Sequence, residues 1–209
     1  MNLTSPTVQR WIEEGLADPE GFWERAAQQV PWFRTWDRVF ESDHPSFRWF
    51  VGARTNLAYN AVDRHVAAGA GGRAALMYLN ERGGRSVLTY AQLKHEVTRA
   101  AAGLRHLGVG KGDRVTVSMP TCLEAIVLML ACTRIGAIHS VVFAGFGAQA
   151  LADRIIASGS RVVFTADITY RKGKDIPLKP IVDQARRVPG HTVDTVVVLQ
   201  RGDPTPDLN

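Results

Sequence analysis

Hydrophobic positions after residue 70 form short, nearly continuous apolar runs, separated by longer segments with helical spacing. Strands are predicted at 74–79, 86–89, 114–119, 138–143, 161–165 and 195–199. Helices are predicted from 89 to 108, from 121 onward, over 148–157 and over 180–187. Strands that lack strict polar–apolar alternation and are joined by helices are typical of a parallel sheet covered on both faces. The pattern therefore predicts an α/β fold with a parallel-rich sheet flanked by helices.

Two of these helices begin with the sequence pattern of a capping box. In this motif, a hydroxyl side chain and an acid or amide three residues later satisfy backbone N–H groups of the first turn. Thr89 and Gln92 form the first such pair, and Thr121 and Glu124 form the second. We therefore predict that both threonines cap their helices.

The first sixty residues differ in composition from the rest of the chain. All five Trp and five of the eight Phe lie within the first fifty residues. Asp18 followed by Pro19 is a favourable helix start. Large aromatic side chains usually pack against a protein body. We therefore predict an aromatic-rich helical extension over 1–62, an α/β domain over 63–209, and no nucleic-acid partner.

Composition and charge place the chain among ordinary globular proteins. Of its 209 residues, 45% are hydrophobic and 22% are charged, and the formal net charge is +5. These values exclude the collagen-like, wholly disordered and disulfide-scaffold classes. Cys122 and Cys132 lie in an apolar helical pattern, which fits a reducing compartment. Because no run reaches the about 20 apolar residues of a membrane helix and no signal-peptide pattern is present, we expect a cytoplasmic protein with no membrane partner.

A glycine-rich motif, Gly145-Phe146-Gly147, follows one predicted strand and opens a predicted helix. It matches the dinucleotide fingerprint, in which glycines allow close backbone approach and the helix N-terminus favours phosphate. Asp167 follows about 20 residues later, where a ribose-binding acid would stand. An NAD-dependent dehydrogenase that uses Gly145, Gly147 and Asp167 is therefore one open hypothesis.

A basic segment, Tyr170-Arg171-Lys172-Gly173-Lys174-Asp175, follows the strand predicted at 161–165. Loops at the carboxyl ends of strands bind ligands in α/β sheets, and Arg and Lys there suit a phosphate group. The six His residues show no metal-ligand spacing, and neither a phosphate-loop motif nor a nucleophile elbow is present. We therefore predict a loop that binds an anion, with no metal site and no catalytic residue in this chain.

Three ordered blocks of residues carry a more specific signal. The first contains residues 49–52, 55–57 and 60–65, the second contains residues 112–115, 119–120, 124–125, 129–132 and 134–143, and the third contains residues 165–167, 171–174 and 176–179. In this order they resemble the N-terminal part of AMP-forming acetyl-CoA synthetases, within the adenylate-forming acyl-CoA ligases. The propionyl-CoA synthetases are nearly as similar.

The resemblance implies a reaction and a cofactor. A short carboxylate and ATP, with Mg²⁺, would give an acyl-adenylate and pyrophosphate, and the thiol of coenzyme A (CoA) would then displace AMP. The cations of the basic segment would lie near the 3′-phosphate of CoA, and the glycine-containing turn would lie beside its adenine. The positions implied to contact CoA are Arg171, Lys172, Gly173, Lys174, Phe143, Ala144 and Gly145. Lys174 stands where the family usually has Arg, and Ala144 stands where Gly is usual.

The resemblance also limits what these 209 residues would do. In the family, the ATP phosphate loop, the acyl pocket and the catalytic Lys lie downstream of the matching region. We therefore expect an N-terminal ligase fragment that supplies part of the CoA site, is inactive alone and self-associates through an unpaired sheet edge. Its partners would be CoA, a short-chain carboxylate and the remainder of the ligase. The open alternatives are a propionate–CoA ligase fragment, a non-catalytic truncated binding module and the dehydrogenase.

Overall fold

A computed structural model describes residues 5–202, which divide into two compact units between Asn56 and Leu57. The N-terminal unit contains α1 (Pro6–Ala17), α2 (Pro19–Ala27), β1 (Arg38–Asp43) and β2 (Ser46–Val51). The C-terminal unit begins with two short π-helical turns, Tyr59–Asp63 and Val66–Ala70, and continues with β3 (Ala74–Leu79), β4 (Arg85–Thr89), α3 (Tyr90–His106), β5 (Arg114–Ser118), α4 (Leu123–Ile135), β6 (Ile138–Val141), α5 (Ala148–Ser158), β7 (Val162–Ala166), β8 (Ile168–Arg171), β9 (Lys174–Pro177), α6 (Lys179–Ala185) and β10 (Thr195–Leu199). No helix within the described range is long and apolar enough to cross a membrane.

Both helices of the N-terminal unit start at a side-chain cap followed by proline. The Ser5 hydroxyl accepts a hydrogen bond from the Val8 N–H at 3.3 Å, and the Asp18 carboxylate accepts one from the Gly21 N–H at 3.0 Å. These bonds satisfy N–H groups that the first helical turn leaves without partners. The helix start predicted at Asp18 is therefore confirmed.

Aromatic rings pack across the N-terminal hairpin. Phe40 and Trp49 stand opposite each other in β1 and β2, with ring centroids 4.7 Å apart. The ring of Phe50 lies 5.1 Å from that of Trp36 and 5.4 Å from that of Trp32. The sequence analysis predicted helices in this region and missed the antiparallel pair. Here the rings of Phe40 and Trp49 stabilise a pair of strands. Aromatic composition alone does not show whether such rings pack between strands or against a helix.

Four strands of the C-terminal unit form one parallel sheet in the order β10-β7-β5-β6. On one face, Leu128 of α4 belongs to the same buried cluster as Val117 of β5. On the other face, Leu151 of α5 belongs to the same buried cluster as Val163 of β7. The predicted α/β fold, a parallel sheet flanked by helices, is confirmed.

The parallel arrangement determines where the ligand-binding loops lie. In parallel strands, all carboxyl ends face the same edge of the sheet. The segments that follow β5, β6, β7 and β10 therefore meet along one edge. Two antiparallel hairpins, β3–β4 and β8–β9, belong to the same unit but are not hydrogen-bonded to the parallel sheet.

The two predicted capping boxes have different outcomes. At α3, the Thr89 hydroxyl accepts from the Gln92 N–H at 3.3 Å, and the Gln92 side chain accepts from the Thr89 N–H at 2.9 Å. At α4, the cap residue is Cys122 and no side chain caps the helix, so the prediction for Thr121 is wrong. Five buried side chains of α4 hold that helix against the sheet, so burial replaces the cap.

This difference predicts unequal effects of two threonine substitutions. Thr89→Ala removes a formed cap and should lower the free energy of unfolding by about 1 kcal/mol. Thr121→Ala is the matched control, and it should leave the free energy of unfolding within about 0.5 kcal/mol of the parent chain. Urea unfolding followed by circular dichroism measures both. Equal losses in the two variants would contradict the assignment of the caps.

Candidate functional site

A cleft of about 820 Å³ lies at the carboxyl edge of the parallel sheet. Its walls include Pro120 after β5, Gly145 after β6, Arg201 after β10 and parts of both hairpins. Its charged lining residues are Glu81, Arg171 and Arg201. Within the described residues, the cleft therefore has more cationic than anionic side chains.

The basic segment is a β-hairpin, where the sequence analysis predicted a loop. Strands β8 and β9 are joined by Lys172 and Gly173, with φ angles of 52° and 73°. Positive φ at both central residues is the pattern of a type I′ turn, whose twist matches that of the flanking strands. The sequence analysis missed this hairpin because Lys-Gly is not among the residue pairs that usually signal such a turn.

Arg171 and Lys174 stand directly opposite each other at the end of this hairpin. They share a hairpin face with Thr169 and Ile176, which line the cleft. Opposed side chains of this kind have Cβ atoms about 4.5–5.5 Å apart, and like charges there destabilise the pair. Neither cation forms an ion pair with a carboxylate in residues 5–202. A bound anion would relieve their repulsion.

The opposite hairpin face is held by cations from two other segments. Tyr170 and Asp175 pair across β8 and β9 on this face. Arg82, in the β3–β4 turn, forms an ion pair with Asp175, and its guanidinium carbon lies 3.8 Å from the centre of the Tyr170 ring. The guanidinium carbon of Arg201 lies 4.9 Å from the same ring centre. These contacts fix the hairpin against the β3–β4 turn and the segment after β10.

The glycine-containing turn after β6 forms another wall of the cleft. The Phe143 side chain is 63% exposed, and its ring meets that of Phe146 edge-on at 5.7 Å. A Cβ atom at Gly145 would lie 2.4 Å from a ring carbon of Phe143, so glycine allows the ring to lie over the turn. An exposed aromatic ring beside a glycine offers a surface on which a nucleobase could stack.

The structure brings together most of the residues that the sequence analysis selected. Phe143, Ala144, Gly145 and Arg171 line the cleft. The remaining three lie at the exposed hairpin tip and do not line it: Lys172, Gly173 and Lys174. The cations selected from the sequence are thus one Arg that lines the cleft and two exposed lysines that do not line it.

Asp167 joins the ends of several elements around the cleft. Asp167 is buried, with 5% of the residue exposed. Its carboxylate accepts hydrogen bonds from the N–H groups of Ile168 at 2.7 Å, Arg201 at 2.8 Å and Gly202 at 2.9 Å. Its backbone carbonyl accepts from the Leu178 N–H at 2.8 Å, just after β9. Burial alone would raise the pKa of Asp167, but the three N–H donors hold that pKa below its ordinary value.

These bonds argue against the dehydrogenase hypothesis. A ribose-binding acid needs free carboxylate oxygens that face a ligand. Both oxygens of Asp167 already accept backbone N–H groups within the fold. Gly145 and Gly147 do lie just before α5. The acid that the dinucleotide interpretation requires, Asp167, is bound to backbone N–H groups and does not face a ligand there.

Sequence reasoning missed Arg201 and Arg82 as parts of this site. Arg201 is about thirty residues from the basic segment, so no local motif connects them. The signal that could have found Arg201 is its place just after the last predicted strand, at the same sheet edge as the other loops.

The two cysteines of the described chain are buried thiols. Burial raises the pKa of Cys122 to about 11 and that of Cys132 to about 11, so both thiols stay protonated at neutral pH. Residues 5–202 contain no group of three or more His, Cys, Asp or Glu side chains arranged to hold a metal ion.

Comparison with known proteins gives two matching families and several relatives. Residues 63–208 match the AMP-binding enzyme family, and residues 8–61 match the acetyl-coenzyme A synthetase N-terminus. Acetyl-coenzyme A synthetase of Deinococcus radiodurans is 44% identical over 94% of this chain and 30% of the relative. Acetyl-coenzyme A synthetase of Streptomyces coelicolor is 48% identical, and 3-hydroxypropionyl-coenzyme A synthetase of Sulfurisphaera tokodaii is 46% identical, each over 90% of this chain and 29% of the relative. The chain thus spans about 30% of the length of these relatives and corresponds to the N-terminal part of the acetyl-coenzyme A synthetases.

The bonding of Asp167 predicts a large and pH-dependent effect of Asp167→Asn. The amide would turn an N–H donor toward the Gly202 N–H, so the free energy of unfolding should fall by about 1–3 kcal/mol at pH 7. Because the folded-state pKa lies below the unfolded value, the carboxylate stabilises the fold above about pH 4, and this stabilisation is lost as the pH falls through the folded-state pKa. Urea unfolding of the parent and the variant at pH 7 and in acid measures the difference between their free energies of unfolding. This difference should be smaller in acid than at pH 7.

Asp194→Asn is the matched control, since Asp194 forms an exposed ion pair with Arg161. Its cost should stay below about 1 kcal/mol. A cost for Asp167→Asn no larger than this, or one that does not change with pH, would contradict the role assigned to Asp167.

Proposed function

Because the chain belongs to the family of AMP-binding enzymes, we propose that it is the N-terminal part of an acetate–CoA ligase and supplies part of the CoA site. The reaction would join a carboxylate to AMP from ATP with release of pyrophosphate, after which the CoA thiol would displace AMP. The relatives named above support this reaction through their names, which carry an acetyl or a 3-hydroxypropionyl group. Acetate is the proposed substrate, and propionate has less support.

The observation that carries the proposal is the opposed pair of Arg171 and Lys174 beside the cleft. The pair has no carboxylate partner in residues 5–202, and the cleft that Arg171 lines also holds the exposed ring of Phe143. CoA carries an adenine and a 3′-phosphate, and these two groups fit an exposed ring and a pair of cations. We therefore assign the adenine to Phe143, Ala144 and Gly145, and the 3′-phosphate to Arg171 and Lys174. Lys172 and Gly173 form the turn that holds the two cations in register.

The family also uses ATP and Mg²⁺. Adenylation depends on holding ATP and the carboxylate together and on stabilising the charge that develops. The described residues contain no acidic cluster for a metal ion, so no step of adenylation is assigned to them. We propose that the contacts to ATP and Mg²⁺ come from elsewhere in the ligase.

Domain organisation and location complete the proposal. We propose an acetyl-CoA synthetase-type extension over 1–62 and the start of the adenylation domain over 63–209. The family matches at residues 8–61 and 63–208 support this division. A cytoplasmic location is supported by two buried, unpaired cysteines, Cys122 and Cys132.

Titration of the purified 209-residue chain with CoA and with NADH tests the proposed site. Isothermal titration calorimetry should detect CoA binding and no NADH binding. Arg171→Gln should weaken CoA binding about 10-fold, because a charged hydrogen bond to phosphate is lost. Arg105→Gln, an exposed Arg at the end of α3 and outside the cleft, is the charge-matched control and should leave CoA affinity unchanged.

Binding of NADH without CoA would refute the CoA site and revive the dehydrogenase. The same purified chain should release no AMP from ATP when acetate and CoA are supplied. Acetate-dependent AMP release would contradict the expectation that these residues are inactive alone. A chain that binds CoA but restores no ligase activity when it is mixed with the remainder of the ligase would instead favour a non-catalytic binding module.

The outer strands of the sheet predict self-association of the purified chain. Within the described residues, β6 and β10 are the outermost strands, and Ile138 and Val141 of β6 are 54% and 57% exposed. Unpaired strand edges with apolar side chains favour pairing with another chain. Sedimentation velocity should therefore show a weight-average mass that rises with concentration. A constant monomer mass over the full concentration range would overturn this expectation.

A further inference from the structure

We propose that Arg201 forms a second anion-binding position in the cleft and that it takes the diphosphate of CoA. This inference rests on the proposed function, since it names a further contact of the same ligand. It adds a residue that lies outside the basic segment and the glycine-containing turn.

Arg201 lines the cleft and its side chain is already oriented there. Its Nη2 donates a hydrogen bond to the Tyr78 hydroxyl at 3.2 Å. Its guanidinium carbon lies 4.9 Å from the centre of the Tyr170 ring, which is a cation–π contact. Two aromatic side chains therefore hold the guanidinium, so a ligand would not have to order a mobile Arg.

The backbone of Arg201 is fixed from both sides. Its N–H donates to the Asp167 carboxylate at 2.8 Å, and its carbonyl oxygen accepts from the Tyr170 hydroxyl at 2.8 Å. Tyr170 thus contacts both the main chain and the side chain of Arg201. The position of this cation depends on the same hairpin that carries Arg171.

Arg201 retains donors for a ligand. A guanidinium has five N–H donors, and the contacts of the Arg201 side chain use one of them within the described chain. No carboxylate of residues 5–202 forms an ion pair with Arg201, whereas Arg82, which contacts the same Tyr170 ring, is paired with Asp175. Half-buried cations without a carboxylate partner favour a bound anion.

Two separate cation positions match the two phosphate groups of CoA. Tyr170 and Arg171 are consecutive in β8, so their side chains point to opposite faces of the hairpin. Arg201 lies against Tyr170, and Arg171 lies on the other face beside Lys174. Because Arg171 and Arg201 line the same cleft, we infer that one ligand with a terminal monophosphate and an internal diphosphate contacts both positions. We assign the monophosphate to Arg171 and Lys174 because they stand at the exposed turn end of the hairpin.

CoA and dephospho-CoA, which lacks the 3′-phosphate, distinguish the two positions. Both are titrated into the full 209-residue chain by isothermal titration calorimetry. Arg201→Gln should weaken the binding of both ligands by the same factor, about 10-fold or more. Arg171→Gln should weaken CoA binding and leave dephospho-CoA binding nearly unchanged. Arg105→Gln, which removes one positive charge outside the cleft, should change neither.

Each result separates the inference from the proposed function. If the parent chain binds neither ligand, the proposed CoA site fails. If the parent binds both and Arg201→Gln binds them equally well, the CoA site stands and the role of Arg201 is refuted. If Arg201→Gln loses affinity for CoA alone, Arg201 contacts the 3′-phosphate and the diphosphate assignment is refuted.

Tyr78→Phe provides a second variant in case Arg201→Gln does not fold. It leaves Arg201 and its backbone bonds in place and removes only the hydroxyl that orients the guanidinium. It should weaken the binding of both ligands about 3-fold, because one neutral hydrogen bond that orients the guanidinium is lost. Unchanged affinity for both ligands in a folded Tyr78→Phe would overturn the proposal. Where Arg201→Gln does fold, higher affinity in Arg201→Lys than in Arg201→Gln would support it.

Discussion

The hydrogen bonds of Asp167 are the constraint on which the cleft depends. One buried carboxylate accepts the N–H groups of Ile168, Arg201 and Gly202, and the carbonyl of the same residue accepts that of Leu178. The start of β8 and the segment after β10 therefore converge on the Asp167 carboxylate, and the residue after β9 binds the backbone carbonyl of the same residue. A buried carboxylate is costly unless its oxygens are satisfied, so these partners cannot separate without exposing a charge to an apolar environment. Asp167 contributes no ligand contact of its own, yet it places the two cation-bearing segments of the cleft.

The hairpin distributes its charges between two faces with different functions. On one face, Arg82 pairs with Asp175 and contacts Tyr170, so charge is neutralised and the hairpin is held in place. On the other face, Arg171 and Lys174 stand opposite each other, and neither forms an ion pair with a carboxylate of the described residues. A two-residue turn determines this division, because a shift of one position would move every side chain to the other face. The register of the turn is therefore part of the binding chemistry.

Local patterns in the sequence predicted the elements that depend on local forces. The alternation of apolar runs and helical spacing gave the parallel sheet, and Thr89 with Gln92 gave a correct cap. The same local rule failed at Thr121, because burial of α4 removes the need for a side-chain cap. The contact of Arg201 with Tyr170 joins residues 31 positions apart in a geometry that only the folded sheet edge creates. The aromatic hairpin of the N-terminal unit was missed for a related reason, since its rings pair across strands and leave no helical periodicity.

The glycine-containing turn illustrates why a motif must be judged with its surroundings. Glycines before a helix allow close approach of a phosphorylated nucleotide whether the ligand is a dinucleotide or CoA. The two hypotheses differ in what the distant acid does, and Asp167 has both carboxylate oxygens satisfied by backbone donors. Asp167 is also buried and does not line the cleft, so it does not face a ligand as a ribose-binding acid would, but it holds the Arg201 backbone at the cleft. The same residue that removes the dinucleotide interpretation therefore supplies the second cation position, and both conclusions follow from one set of hydrogen bonds.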